Sequence, residues 1–150
     1  MKAFIQRVAT AGVTIDGKTT ARIEHGYLIL LGVAPTDSVQ DAAHLAYKTT
    51  HLRIFPDDQD RMNLSIIDTN GQILVVSQFT LYADTSKGHR PSFTHAAPPP
   101  LAESLYTEYV KLLGDEIGHE KIATGTFGAM MSIDLTNDGP VTIELTSENR

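Results

Sequence analysis

Asn137-Asp138-Gly139-Pro140-Val141-Thr142 lies between two strand-like runs, Met130–Leu135 and Val141–Leu145, and its reading decides how the strands of this chain are joined. Gly permits backbone angles that other residues avoid. Pro fixes φ and removes an N–H donor. Asn, Asp, Gly and Pro are the residues that turns use, so the residue types favour an ordinary tight hairpin connection. The competing reading is a rigid turn that presents backbone carbonyls to a ligand, and Gly139-Pro140 is the bond singled out for a cis form.

Upstream, Pro98-Pro99-Pro100 starts a helix, since Pro is tolerated in a first turn. Leu101, Leu105, Tyr109 and Leu112 lie along one side of it, and Gly114 is its expected stop. Short strands are expected at Lys121–Thr126, Met130–Leu135 and Pro140–Thr146. Gln72–Leu81 (QILVVSQFTL) is the strongest strand pattern, followed by a long polar loop, Tyr82 to Ala97. Tyr27–Ala34 (YLILLGVA) is nearly continuous in apolar residues and predicts a central strand covered on both faces. Asp37 and Gln40 resemble a capping box before a helix whose stripe runs through Val39, Ala42, Ala43, Ala46, Tyr47 and Thr50. His51–Phe55 reads as a strand, and Arg61–Ser65 as a loop whose Met62 and Leu64 tuck onto the core. Ala3–Ala9 and Val13–Lys18 read as strands, with an Asp16-Gly17 turn. Arg7 sits on the first strand, where a solvated side chain is the favoured reading; a buried one needs an acceptor. Strands joined by short turns pair antiparallel, and the βαβ rhythm is too rare for a doubly wound sheet. The expected fold class is α+β: a curved, mainly antiparallel, barrel-like sheet with two packed helices.

The 150 residues suit one domain, 1–150. With 41% hydrophobic and 20% charged residues, the balance is that of a globular protein. The absence of Cys excludes disulfides, thiolate metal sites and a thiol nucleophile. No apolar run approaches the roughly 20 residues of a membrane-spanning helix. The start of the sequence, Met1–Val8, lacks the apolar core of a signal peptide, so no membrane partner and a cytoplasmic location are expected. A net charge of −6 argues against coating of duplex nucleic acid, and no DNA partner is expected. It leaves room for recognition of a short nucleic-acid end in a local pocket.

No G-x-S-x-G, phosphate-binding G-x-x-x-x-G-K-[ST] or H-E-x-x-H pattern is present. The six His residues are scattered; only His89 and His95, in the long loop, merit attention, and no metal site is expected. Ser77-Gln78-Phe79-Thr80-Leu81 places polar residues at the end of an apolar strand. Buried strands carry Ser, Gln and Thr so close together only where those groups find partners. Alternation puts Ser77 and Phe79 on one face and Gln78 and Thr80 on the other. Either a bulge re-aims them or the main-chain N–H groups contribute as much as the side chains. A plain strand terminus with solvent-facing polar groups stands about level with either. Thr80 as a nucleophile needs a base within reach, with His89 or Asp84 the nearest in sequence. Water attack with a backbone oxyanion hole is simpler.

S-Q-F-T-L at 77–81 together with N-D-G-P-V-T at 137–142 resembles the paired signature of the D-aminoacyl-tRNA deacylases. The resemblance runs the length of the chain. Ile5-Gln6-Arg7-Val8, Leu30-Leu31-Gly32-Val33, Arg53-Ile54-Phe55, Met62-Asn63-Leu64 and Arg90-Pro91-Ser92-Phe93 fall in the family's order. The resemblance implies hydrolysis of the carboxylic ester joining a D-amino acid, or glycine, to the 3′-terminal adenosine of tRNA, a proofreading step in translation. It implies no cofactor, an aminoacylated tRNA 3′ end as partner, and a homodimer with its active site at the interface. Ser77, Gln78, Phe79 and Thr80 are then the catalytic segment. Gly139 and Pro140, joined by a cis bond, act in trans as the selector of chirality. Arg7, Pro91, Ser92, Phe93 and Asn137 support them. The terminal ribose 2′-OH of the substrate is implied to assist water attack. Two rivals remain: a non-catalytic dimeric module that binds an RNA 3′ end, and an esterase with Thr80 as nucleophile.

Overall fold

The structure, a computed structural model, describes residues 1–148. The longest early strand, β1 (Lys2–Ile15), organises the sheet. Its first half pairs antiparallel with β3 (Gly26–Gly32), from Lys2 opposite Gly32 to Val8 opposite Gly26. Its second half pairs with β2 (Lys18–Ile23) through the Asp16-Gly17 turn. Both turn residues have positive φ, 49° and 76°, as a tight two-residue hairpin requires. The other edge of β1 carries β8 (Ser132–Thr146) along nearly its whole length.

The remaining pairings are parallel: β6 (Gln72–Ser77) joins β3, and β7 (Ile122–Thr124) joins β6. The sheet is therefore mixed, curved and nearly closed into a barrel, more parallel than short turns predict. The reason lies in the connections. The links from β3 to β6 and from β6 to β7 carry α1 (Val39–His51) and α3 (Pro99–Ile117), and a strand returned by a helical crossover runs parallel. A two-stranded ribbon of β4 (Phe55–Pro56) and β5 (Met62–Leu64) and a short α2 (Ile66–Thr69) complete the β3–β6 link. His51 closes α1, so the strand expected over 51–55 is reduced to its end. Met62 is exposed, not tucked in.

The helices depart from expectation in register. The capping box of α1 uses Ser38 and Asp41: Ser38 N and Oγ donate to Asp41 Oδ2 at 2.9 and 2.6 Å. Asp37 accepts from Ala34 N instead. The buried face of α1 is Ala42, Leu45, Ala46, Thr49 and Thr50, while Val39, Ala43 and Tyr47 face outward. Thr49 can sit inside because its hydroxyl donates to Leu45 O and meets Tyr109 Oη, both at 2.8 Å. The long helix α3 passes through Gly114 and ends at Ile117, capped by Gly118 with φ 101°. Gly114 makes room for the returning chain, since a Cβ there would lie 2.2 Å from the His119 ring.

Alternation splits the core into two layers. Ala3, Ile5, Tyr27, Ile29, Leu31, Ile73 and Val75 face the helices and meet Leu45, Leu105, Tyr109 and Leu113. Val8, Ala11, Val13, Ile23, Leu28, Leu74 and Val76 fill the barrel side. A strand covered on both faces reads as an unbroken apolar run, which is the pattern of β3. Buried phenols reach carbonyls: Tyr27 donates to Leu52 O at 3.1 Å and Tyr106 to Val75 O at 2.9 Å. Burial pushes the Tyr106 hydroxyl up to about 12. Among the described residues no helix is long and apolar enough to cross a membrane.

Gly26 sits where β3 meets β6, with φ 156°, and a Cβ there would lie 1.8 Å from Gln72 O. Gly26→Ala is expected to destabilise by about 3 kcal/mol, because the obstacle is backbone and cannot swing aside. Urea unfolding followed by circular dichroism checks this.

Candidate active site

β6 ends at Ser77, not at Leu81. Gln78 leaves strand geometry, with φ −143° and ψ 85°, and Phe79–Tyr82 form a 3-10 turn. This turn, not a bulge, re-aims the polar residues. Gln78 N donates to Leu31 O at 2.8 Å, and Gln78 O accepts from Leu81 N at 3.3 Å. The amides of Phe79 and Thr80 precede that first helical bond and are not consumed by it. Gln78 Nε2 donates to Thr80 Oγ1 at 2.5 Å. Phe79 and Thr80 are exposed, while Ser77 and Gln78 are half-buried.

Val76, Ser77, Gln78 and Phe79 form one wall of a cleft of about 210 Å³; Ala129, Met130, Met131 and Ile133 form the other. Sequence reasoning missed that second wall. Its one signal is Met130-Met131 directly after Gly128-Ala129, two soft, adaptable side chains beside a turn. The chain that leads into this second wall is tied to β6 by Gly125 N, which donates to Val75 O at 3.0 Å.

The loop after the 3-10 turn has structure of its own. Asp84 and Ser92 exchange both backbone hydrogen bonds, at 2.8 and 2.9 Å. Asp84 Oδ1 also accepts from Ser86 N at 2.9 Å. The Ser86 amide, then its hydroxyl, and the nearby His95 hold the Asp84 carboxyl below the usual carboxylate range. The result delivers Phe93 edge-on to Phe79, with ring centroids 5.0 Å apart. Ser92 Oγ lies 3.4 Å from Thr94 Oγ1. Pro91 is exposed and lines none of the described clefts.

Asn137–Thr142 is not a hairpin. β8 continues through it, with Val8 opposite Asn137 and Gln6 opposite Thr142. Residues 138–141 therefore stand opposite Arg7 alone, as an enlarged bulge pushed out of the ladder. The Gly139–Pro140 peptide is cis, and both residues are exposed. Asn137 staples the bulge: its Oδ1 accepts from Val141 N at 2.8 Å, and its Nδ2 donates to Val141 O and Gln6 Oε1, each at 3.1 Å. Arg7 is buried, not solvated, at 8% exposure. Its Nε donates to Asp138 O at 2.8 Å and lies 3.4 Å from the Asp138 carboxylate; Nη1 donates to Ile54 O. Gly139 has φ 150°, and a Cβ there would lie 2.8 Å from Val141 N.

Six residues of β8, on the order of 20 Å of strand, separate the bulge at Gly139 from the cleft wall at Ile133. The structure brings Ser77–Thr80 together with Phe93, and Arg7 together with Asn137 and Gly139-Pro140, as two separate constellations. Among the described residues no group of three His, Asp or Glu side chains is placed to hold a metal.

A family model described as D-Tyr-tRNA(Tyr) deacylase matches residues 4–146. The D-aminoacyl-tRNA deacylase of Thermosipho africanus is 50% identical over 148 residues, 99% of this chain and 98% of its own. That of Salinibacter ruber is 53% identical over 143 residues, 95% of each chain. Among solved structures, a c-Myc DNA unwinding element binding protein superposes with a TM-score of 0.92 at 40% identity, covering 97% of each chain. A probable eukaryotic D-amino acid tRNA deacylase shares the fold, with a TM-score of 0.83 at 15% identity over 96% of this chain and 97% of its own.

Arg7→Lys is expected to cost about 1–2 kcal/mol, because an ammonium cannot span Ile54 O and the Asp138 carbonyl as the guanidinium fork does. Denaturant melts of the two proteins measure it. The depressed Asp84 carboxyl contributes order that is present above the ordinary carboxylate pKa and is lost as pH falls through its lower folded value. Hydrogen exchange should show the Ser86 amide still protected in the ordinary carboxylate range and losing protection as pH falls below it.

Proposed function

This chain belongs to the D-Tyr-tRNA(Tyr) deacylase family, and on that premise we propose that it hydrolyses the ester joining a D-amino acid to the 3′ end of tRNA. As a family member it is a hydrolase of aminoacyl-tRNA ester bonds. The observation that carries the finer reading is the 3-10 turn after Ser77, which leaves the Phe79 and Thr80 amides free of helical bonding beside a cleft. Two such donors suit the oxyanion that forms when water attacks the ester carbonyl. Ser77 and Gln78 organise the pocket, and Phe93 braces Phe79. Thr80 Oγ1 accepts from the Gln78 amide, which is no base, so a bound water is favoured over Thr80 as nucleophile. The substrate's own ribose 2′-OH completes the proton transfer.

The selector of chirality is the Gly139-Pro140 bulge, held by Arg7 and Asn137. Its carbonyls crowd the side chain of an L-residue and leave the D position open. A reader built from backbone accepts many D-residues, and also glycine. Because the bulge is exposed and lies far along β8 from its own cleft, it is suited to act on a second copy, in a homodimer with the site at the interface. The chain acts as one unit, 1–150, in the cytoplasm, where translation takes place. Duplex DNA is not proposed as a partner, given the net charge of −6.

The test is the rate of ester loss from D-Tyr-tRNA and L-Tyr-tRNA side by side, with chelator present. Fast loss of the D ester with the L ester spared is expected; equal rates would remove the role of Gly139-Pro140. Binding without hydrolysis would favour an RNA-end-binding module. Thr80→Ala is expected to retain activity within about tenfold, and complete loss would instead make its hydroxyl the nucleophile.

A further inference from the structure

We propose that a second cleft, beyond Met130, receives the penultimate cytidine of the tRNA 3′ end, with the Asp16 carboxylate accepting from the exocyclic amine of its base. The inference rests on the ester-hydrolysis reading: with the ester at the Phe79 and Thr80 amides, the terminal adenosine that carries it falls at the cleft beside them.

Two observations place the next nucleotide there. The first is continuity. A cleft of about 340 Å³ is lined by Thr14, Asp16, Gly17, Met130, Met131 and Ser132, and it shares Met130 and Met131 with the cleft at Ser77–Phe79. Met130 is 92% exposed, so its unbranched thioether stands as a partition with an apolar side toward each cleft. Such a side chain suits a base packed on either flank. A strand of nucleic acid whose terminal base occupies one cleft meets the other with the base before it.

The second is chemistry. The lining beyond Met130 includes polar residues, Thr14, Ser132 and Asp16. Among the described residues no hydrogen bond or ion pair engages that carboxylate. The tight Asp16-Gly17 turn holds it at the rim, and Gly17 adds no bulk; even a Cβ there would meet nothing within 4 Å. A carboxylate only accepts. It repels a phosphate but complements the amine of cytosine, the pairing that carboxylates make with that base. An acidic protein thereby gains a contact to an RNA end through a base edge.

The test uses the full chain and three D-tyrosyl esters: natural tRNA, tRNA with uridine at the penultimate position, and D-tyrosyl-adenosine, which lacks that nucleotide. Asp16→Gly keeps the turn, because Gly tolerates the positive φ. It is expected to raise KM on natural tRNA about five- to tenfold with kcat kept, and to leave D-tyrosyl-adenosine unchanged. The wild type is expected to lose about the same factor on the uridine substrate, whose O4 faces the carboxylate as a second acceptor. Asp16→Asn, able to donate to that O4, is expected to recover it. The proposal is overturned if Asp16→Gly matches the wild type on both tRNAs. It is also overturned if the loss is as large on D-tyrosyl-adenosine, which marks damage to the fold. Failure of the wild type on all three esters strikes the ester-hydrolysis reading itself, and this inference with it.

Discussion

One buried cation ties together β1, the link after α1 and the bulge of β8. Arg7 lies on β1, yet its guanidinium donates to Ile54 O, in the link after α1, and to Asp138 O, in the bulge of β8. A charge taken out of water has to be repaid by hydrogen bonds, and here both acceptors are main-chain carbonyls with the Asp138 carboxylate alongside. The carbonyls are thereby fixed in direction. That constraint works with the Asn137 staple to hold four residues that stand opposite one in the ladder. Tyr27 belongs to the same arrangement, since burial raises its phenol above the usual range while the neighbouring Arg7 opposes the rise.

The two constellations of the site follow different building rules. The Ser77–Thr80 segment obtains its geometry from the end of a strand: Gln78 gives its N–H to Leu31 and its carbonyl to the next turn, and the chain leaves the sheet at that point. The bulge obtains its geometry from side chains, Asn137 from within and Arg7 from beneath. One depends on backbone topology. The other depends on two particular polar residues. Phe93 adds a third device, an aromatic edge set against Phe79 by a loop that Asp84 and Ser92 close.

Much of the fold was legible, and the failures share a cause. Tyr27–Ala34 announced a strand covered on both faces, and Asp16-Gly17 announced its hairpin, because each signal is local. The parallel pairings of β6 were not legible, since orientation is set by crossover helices and not by residues of the strand. The expected stripe of α1 left out Thr49, whose hydroxyl partner, Tyr109, lies sixty positions away. The bulge at 138–141 was taken for a hairpin because both use the same residue types; only the far partner β1 distinguishes them. In the site, the motif residues stood out by their polarity at the end of an apolar run. The wall of Ala129–Ile133 did not, because what qualifies those residues is shape.

The position of β1 between the first and last pairing partners has a consequence during synthesis. β2 and β3 follow β1 within a few residues and can pair with it at once, but the strand that covers its other edge, β8, is the last to be made. At ordinary elongation rates the interval between them is on the order of 10 s. For that time a long edge of β1 is open, with unpaired N–H and C=O groups that another nascent chain could satisfy. The Arg7 side chain is on that strand too, and one of its two carbonyl acceptors, Asp138 O, does not yet exist. An unpaired charge resists burial, so a nascent β1 carries within it a deterrent to premature pairing that is cancelled only when β8 brings Asp138 to it.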